Sequence, residues 1–339
     1  MRILVIGRGI VGLWQALTCA RRGHDVVLAS DADAKRAASW YAGGMLAPGC
    51  EGETAEPIVA QLGVRSIAAW KEIYPQVISN GSLVLSHPRD RAELQRFERQ
   101  TEGGERVDPD RLTTLEPDLE GRFRTALFFP DEAHLTPRTA MQFLDRELQR
   151  LGVTCVDISV QDGDLPHAGI DGPRPDHVLD CRGLGARERL DALRGVRGEM
   201  AVLRAREVTL SRPVRLLHPR FPLYVVPWGN HHFMIGATVV EREDAAPVTA
   251  RAGLELLGHA YALHSGFAEA EIIEFSAGVR PTFPDNTPKI VVSEDRIYIN
   301  GVYRHGFLTA PALAELVAEF IETGATHSEV FSRADRGQW

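Results

Sequence analysis

Residues 2–12 read RILVIGRGIVG, and this stretch decides the fold. The run from Ile3 to Ile6 is short and wholly apolar, as a buried parallel strand is, and a glycine-rich turn follows it directly. A helical pattern then continues to Arg22, Gly23 is placed to end the helix, and DVVLA (25–29) predicts a second strand. Together these segments form one complete βαβ unit.

The glycines of that turn follow the pattern G-x-G-x-x-G between a strand and a helix, as a dinucleotide site requires. Gly7 permits the tight turn, Gly9 lets the main chain approach a pyrophosphate, and Gly12 lets the helix pack close to the strand. The acid that normally contacts the adenosine ribose is absent, because Ser30 holds its position and Asp31 comes one residue later. We therefore expect either Ser30 or Asp31 at the ribose, or a surface turn that contacts no ligand.

The rest of the chain alternates between two kinds of segment. Half-buried strands of antiparallel type are predicted at 82–86, 125–130, 199–204 and 223–239, helices at 61–73, 137–151 and 249–264, and further buried strands at 153–160 and 177–186. This order predicts an α/β fold, in which a doubly wound, Rossmann-like domain carries an inserted, mainly antiparallel α+β domain. We place the first domain at 1–80, 134–195 and 277–339, and the second at 81–133 and 196–276.

The composition restricts the class of protein. Of the 339 residues, 44% are hydrophobic and 25% are charged, as in ordinary soluble globular proteins. The net charge of −8 argues against nucleic acid or an anionic membrane surface as the main partner. No apolar run approaches the ~20 residues of a membrane span. The folded motif begins without a signal peptide, so we expect a cytoplasmic protein.

The cysteines offer no metal site. Cys19, Cys50, Cys155 and Cys181 form no C-x-x-C pair and have no histidine at ligand spacing. We expect reduced, mostly buried thiols and no metal.

An unusual apolar segment, ASWYAGGMLAP, occupies residues 38–48. Gly43 and Gly44 would let the main chain approach a flat ligand, and Met45 would offer it a soft apolar contact. A packing loop without a ligand would have the same composition.

The last long helix is preceded by a second unusual segment, NGVYRHGFLTAPALAEL (300–316). Thr309 is its predicted N-cap, Pro311 would lie in its first turn, and Gly324 would end it. The first turn of a helix has free N–H groups and a positive dipole end, so an electron-rich group would be stabilised there.

These two segments resemble those of the glycine oxidases of the FAD-dependent D-amino-acid oxidase family. The resemblance extends, in the right order, to HVLDCRGLGA (177–186), YVVPWGNHHFMIGATV (224–239) and GVRPTFPDNTPKI (278–290). It implies FAD as cofactor, an FAD-binding domain with an inserted substrate-binding domain, and oxidation of a small amino acid by molecular oxygen. It also implies a homo-oligomer and a role in the thiazole branch of thiamine biosynthesis.

By the same resemblance, FAD would contact the glycine turn, the end of the second strand, the 38–48 segment and the start of the closing helix. The helix would direct its N–H groups at the flavin edge that gains negative charge on reduction. The implied cofactor-binding residues are Gly7, Gly9, Ile10, Val11, Gly12, Ser30, Asp31, Ala38, Ser39, Gly43, Gly44, Met45, Val160 near the adenine, Val302, Tyr303, Arg304, His305, Gly306, Phe307 and Leu308.

Three residues are candidates for substrate binding. Arg280 ends an apolar strand and is suited to hold a carboxylate with two hydrogen bonds, although it could instead bridge domains at the surface. Tyr224 could donate its hydroxyl to the same carboxylate, or be a core tyrosine. Arg304 could assist, or pair with nearby acids. Hydride transfer from the α-carbon to flavin N5 would then give the imino acid, and reduced flavin would convert oxygen to peroxide.

Other functions stay open at this level. A sarcosine or D-amino-acid oxidase would share these motifs, as would a dehydrogenase with another electron acceptor. A non-catalytic or tRNA-associated flavoprotein belongs to a different class, and the acidic charge balance counts against it.

Overall fold

The computed structural model describes residues 1–31, 37–53, 55–158, 172–220, 222–244, 246–326 and 328–333. In chain order the strands are β1 Arg2–Ile6, β2 Asp25–Ser30, β3 Met45–Leu46, β4 Ser82–Ser86, β5 Glu105–Val107, β6 Ala126–Phe129, β7 Ala133–His134, β8 Thr154–Asp157, β9 His177–Asp180, β10 Arg194–Arg204, β11 Val214–Leu217, β12 Leu223–Gly229, β13 His232–Gly236, β14 Glu271–Thr282, β15 Lys289–Val292, β16 Ile297–Asn300 and β17 Phe331–Arg333.

The α-helices are α1 Ile10–Arg21, α2 Pro57–Ile73, α3 Arg91–Gln100, α4 Pro109–Leu115, α5 Pro137–Arg150, α6 Ala250–Leu263 and α7 Gly306–Thr323. Short 3-10 turns cover Ala38–Tyr41, Pro88–Asp90, Pro117–Leu119, Gly183–Arg189 and Ser265–Phe267.

One sheet has seven strands in the order β17-β15-β16-β9-β1-β2-β8. The predicted βαβ unit is confirmed, because β1 pairs in parallel with β2, from Arg2 opposite Asp25 to Ile6 opposite Ala29. The other neighbour of β1 is β9, also parallel. Helices α1, α2, α5 and α7 pack in one apolar core with this sheet. The predicted α/β class and its Rossmann-like part are therefore confirmed.

A second sheet has eight strands in the order β14-β10-β13-β12-β11-β4-β6-β5. Its pairs are antiparallel except β4 with β11, which is parallel, so the sheet is mixed and not wholly antiparallel. The pair β10/β14 crosses two of the four predicted boundaries, at 195/196 and at 276/277. The domain boundaries themselves stay a prediction.

The segment 153–160 was expected to form a buried strand, and this was wrong for the part that is described. β8 is the last strand of its sheet, and Thr154, Cys155 and Asp157 are exposed. Its pattern of apolar residues resembles that of an interior strand, but only β2 lies beside it.

The prediction that Thr309 caps the closing helix was also wrong, because α7 begins three residues earlier at Gly306. Pro311 lies inside the helix and has no N–H for the carbonyl of Phe307, which instead accepts from the Trp70 indole at 2.7 Å. The N–H of Ala312 donates to the Ser66 hydroxyl at 3.1 Å. Side chains of α2 thus complete hydrogen bonds that the proline interrupts. The predicted end at Gly324 is confirmed, with φ +77°.

Within the described residues, no helix is both long and apolar enough to cross a bilayer. The expectation of mostly buried thiols is met at Cys19, Cys50 and Cys181, whereas Cys155 is exposed.

Candidate functional site

A cavity of about 700 Å³ lies where the two sheets meet. It is lined by the turn after β1, the end of β2, the segment 37–47, strands β12 and β14, and residues 299–308. The predicted site residues that line it are Gly7, Gly9, Ile10, Val11, Ser30, Asp31, Ala38, Ser39, Gly43, Gly44, Met45, Tyr224, Arg280, Val302, Tyr303, Arg304, His305, Gly306, Phe307 and Leu308.

Two predicted cofactor residues are not among them. Gly12 has a packing role, since a Cβ there would lie 1.8 Å from the Gly7 carbonyl oxygen. Val160 lies outside the described residues.

The glycine turn leaves its main chain open to a ligand. Gly7 has φ +103°, a conformation that disfavours other residues, and Gly9 occupies the N-cap position of α1 without a side-chain cap. The Ser39 hydroxyl accepts from the Ile10 N–H at 3.0 Å, which ties the 3-10 turn to the start of α1. This arrangement of turn and helix end is one that binds phosphate groups.

At the end of β2, Ser30 is half-buried and Asp31 is exposed, and both line the cavity. The alternatives for the ribose contact therefore stay open. Beside them, Arg8 of the glycine turn donates from Nε to Asp145 Oδ1 at 2.8 Å.

The segment with paired glycines passes close to strand β12 and to Leu135, which directly follows β7. A Cβ at Gly43 would lie 3.1 Å from the Tyr224 ring, and one at Gly44 would lie 2.0 Å from the Leu135 carbonyl oxygen. The Trp228 indole donates to the Gly43 carbonyl at 3.0 Å. These contacts fix the main chain of the segment against the second sheet.

Arg280 reaches the cavity from β14. Its guanidinium passes directly over Gly198 of the neighbouring strand, where a Cβ would lie 2.0 Å from Nη2. Its Nη1 donates to the Thr238 carbonyl at 3.3 Å, and the guanidinium also hydrogen-bonds with Tyr224. Burial raises the pKa of the Tyr224 hydroxyl, with Arg280 and Arg304 opposing the shift, so the tyrosine is a neutral donor at neutral pH.

Sequence reasoning missed Glu51, which lines the same cavity and is 9% exposed. Its Oε1 lies 3.4 Å from Arg304 Nη2, and its Oε2 lies 3.5 Å from His305 Nδ1. Arg304 therefore has the acidic partner that was its alternative role. The one available signal was the position of Glu51 as the first acid after an apolar, glycine-rich run.

His305 is neutral in this environment. Burial lowers its pKa to about 4, and although Glu51 favours the charged form, Arg304 opposes it. Its backbone carbonyl accepts from the N–H and the hydroxyl of Thr309, each at 2.8 Å. His305 thus occupies the N-cap position of α7 through its main chain, and its contact with a cofactor stays a prediction.

Comparison with known proteins identifies the family. Residues 2–320 match the family described as DAO, FAD dependent oxidoreductase. The chain belongs to this family of FAD-dependent oxidoreductases. The resemblance to the D-amino-acid oxidase family and the prediction of an FAD-dependent enzyme are thereby confirmed.

Two relatives of this DAO-family chain match over nearly its whole length. A protein of Rhizobium etli named as the thiamine biosynthesis oxidoreductase ThiO is 47% identical, over 95% of this chain and 97% of its own. The glycine oxidase of Pseudomonas aeruginosa is 26% identical, over 94% of both chains.

Solved structures share the fold. The glycine oxidase of Geobacillus kaustophilus has a TM-score of 0.81 at 22% identity, over 97% of this chain and 96% of its own. The iminodiacetate oxidase of Chelativorans sp. BNC1 has a TM-score of 0.80 at 22% identity, over 98% of this chain and 99% of its own.

The residues of the cavity fit FAD. An open glycine turn at the start of α1 suits a pyrophosphate, and the N-terminus of α7 lies at another part of the same cavity. No group of three or more His, Cys, Asp or Glu among the described residues is arranged to hold a metal ion.

Proposed function

We propose that the protein oxidises glycine or another small amino acid to the imino acid, by hydride transfer to FAD, with oxygen as the final acceptor and hydrogen peroxide as the second product. One observation carries the proposal: Arg280, Tyr224 and the start of α7 line a single cavity. The named activities of the Rhizobium etli and Pseudomonas aeruginosa relatives support it. They also support our proposal of a role in thiamine biosynthesis.

The substrate carboxylate is bound by Arg280. Its guanidinium is planar, permanently charged, and held at one edge by the Thr238 carbonyl. The Tyr224 hydroxyl donates to the same carboxylate. This pair fixes one end of a small amino acid and so orients its α-carbon.

Bound FAD supplies the hydride acceptor. The protein contributes the N–H groups of Gly306, Phe307 and Leu308, which precede the first bond within the helix, from Thr309 to His305. These groups and the helix dipole stabilise negative charge nearby. No side chain is assigned as a general base, since the ring of the buried His305 lies against Glu51.

The test is the absorbance spectrum of the FAD-loaded protein without oxygen, before and after glycine is added. We expect the flavin bands to bleach, and peroxide to form at the same rate as substrate disappears when air is admitted. Sarcosine, D-alanine and D-proline in the same assay rank the competing substrates. A spectrum that none of these amines changes would contradict the proposal, and bleaching without peroxide would indicate another electron acceptor.

A further inference from the structure

The substrate end of the cavity contains two arginines in different electrostatic states. Arg280 forms no ion pair with a carboxylate of any residue that the structure describes, and its hydrogen-bond partners, the Thr238 carbonyl and the Tyr224 hydroxyl, are both neutral. Arg304, in contrast, lies 3.4 Å from Glu51. All three charged side chains line the cavity. Only one of the two positive charges therefore lacks a protein counter-charge.

Glu51 is held in place by the chain just before it. The buried carboxyl of Glu132 accepts from the N–H groups of Gly49 and Cys50 at 2.8 and 2.7 Å. The Cys50 carbonyl accepts from Arg215 Nη1 at 2.5 Å. The Glu51 N–H donates to the Ala47 carbonyl at 3.1 Å, so the main chain that carries Glu51 is hydrogen-bonded on both sides of Cys50.

Glu51 is charged at neutral pH in spite of its burial. Burial alone would raise its pKa, but Arg304, followed by His305, Arg215 and Arg280, holds the pKa below the ordinary value. A second carboxylate brought near Arg304 would therefore lie beside an existing negative charge.

We propose that Glu51 determines specificity by neutralising Arg304, so that the cavity accepts amino acids with one carboxylate and rejects amino dicarboxylates. This rests on the proposed function, because it concerns which amino acid the same site admits. Without the negative charge of Glu51, Arg304 becomes a second carboxylate-binding group.

The decisive variant is Glu51→Gln, assayed with glycine and with iminodiacetate. Iminodiacetate is glycine with a carboxymethyl group on its nitrogen, and so has a second carboxylate. We expect the ratio of kcat/KM for iminodiacetate to that for glycine to rise about tenfold or more, as removal of a like charge should allow. Glu51→Asp keeps the charge and should keep the wild-type ratio within about threefold. Glu53→Gln removes a carboxylate that pairs with Arg215 outside the cavity, and should also leave the ratio unchanged.

A binding measurement does not depend on turnover. By calorimetry on the FAD-loaded wild-type protein, acetate should bind about tenfold more tightly than malonate, and Glu51→Gln should remove or reverse this preference. If Glu51→Gln does not take up FAD, the test is whether the wild-type protein binds acetate more tightly than malonate. Malonate that binds wild type as well as acetate does would overturn the proposal.

Two further outcomes separate the explanations. A loss of kcat/KM for glycine and iminodiacetate by the same factor would mean that Glu51 contacts the substrate amine, and would overturn the specificity role. If no small amine reduces the wild-type flavin, the proposed function fails, while the acetate and malonate measurements still report on Glu51.

Discussion

At the scale of single residues, Arg280 carries the largest expected effect on activity. Arg280→Ala removes the proposed charged partner of the substrate carboxylate. We expect kcat/KM to fall on the order of a hundredfold, which corresponds to a loss of about 3 kcal/mol in transition-state stabilisation. FAD content should stay normal. Arg99→Ala, on the exposed face of α3, is the matched control. Unchanged kinetics in Arg280→Ala would remove this residue from the site.

The position of that guanidinium depends on Gly198. A Cβ at this position would lie 2.0, 2.2 and 2.4 Å from Nη2, Cζ and Nη1 of Arg280. Because these atoms end a flexible side chain, Gly198→Ala should displace them without unfolding the protein. We expect KM for the amino acid to rise by roughly tenfold or more, with little change in melting temperature. At Gly258 a Cβ would meet nothing within 4 Å, so Gly258→Ala should leave KM unchanged.

Glu132 makes stability depend on pH. Burial raises its pKa to about 8, from an ordinary 4.5, although its bonds from Cys50 and Gly49 favour the charged form. Between these values the folded protein keeps a proton that the unfolded chain has lost. The stability contribution is therefore complete below about pH 4.5, falls as the pH rises towards 8, and then levels off.

Glu132→Gln, which resembles the protonated form, should remove this dependence. Urea titrations give the free energy of unfolding of the variant minus that of wild type. This difference should grow by roughly 3 to 5 kcal/mol from about pH 5 to about pH 8.5, because only wild type loses the contribution of Glu132. Glu120→Gln changes an exposed carboxyl and should follow the wild-type curve. Parallel curves for Glu132→Gln and wild type would show that Glu132 is ionised at neutral pH.

At the scale of elements, the contact between α2 and α7 compensates for Pro311. Trp70→Phe leaves the Phe307 carbonyl without its donor, so the free energy of unfolding should fall by about 1–3 kcal/mol more than in Trp14→Phe. Trp14 is the matched control, because its indole nitrogen is buried with no partner among the described residues. Chemical denaturation of both variants gives the difference.

A rescue variant tests the same argument. Pro311→Ala restores an N–H that can reach the Phe307 carbonyl. Trp70→Phe should therefore lower the free energy of unfolding less in the Pro311→Ala background than in wild type. Equal costs in the two backgrounds would mean that only the volume of Trp70 matters.

At the scale of the whole molecule, Arg138 connects helix α5, which packs with the first sheet, to strand β14 of the second sheet. This α5 residue donates to both carboxylate oxygens of Glu274 on β14, at 2.8 and 2.9 Å. Its guanidinium also lies 4.9 Å from the Trp40 ring and 5.5 Å from the Trp228 ring. Trp40 lies within the segment 37–47, which lines the cavity. The contacts of Arg138 therefore support the site as well as the fold.

A double-mutant cycle measures that connection. Arg138→Met and Glu274→Gln should show a coupling energy of about 1–2 kcal/mol in the free energy of unfolding. The pair Arg150 and Glu147 lies on the exposed face of the same helix, and its coupling should be about 0.3 kcal/mol. A coupling for Arg138 no larger than for Arg150 would show that other contacts hold α5 and its sheet against β14.

The features that could be predicted from sequence are those whose physics is local. The strand from Ile3 to Ile6 and the glycine turn after it are fixed by neighbouring residues. The start of α7 could not be read in this way, because Trp70 stabilises it from more than two hundred residues away along the chain. Glu51 was missed for the same reason. The role of Glu51 depends on its contact with Arg304, which is distant in sequence and is brought close only by the fold.

The order of strands in the first sheet has a consequence for synthesis on the ribosome. β1 is synthesised before β9 and β16, yet it lies between β2 and β9, and β9 pairs with β16, which begins at Ile297. The wall formed by residues 299–308 is therefore translated long after the glycine turn. A nascent chain must keep this turn available, without a complete cofactor pocket, until residue 308 has been translated.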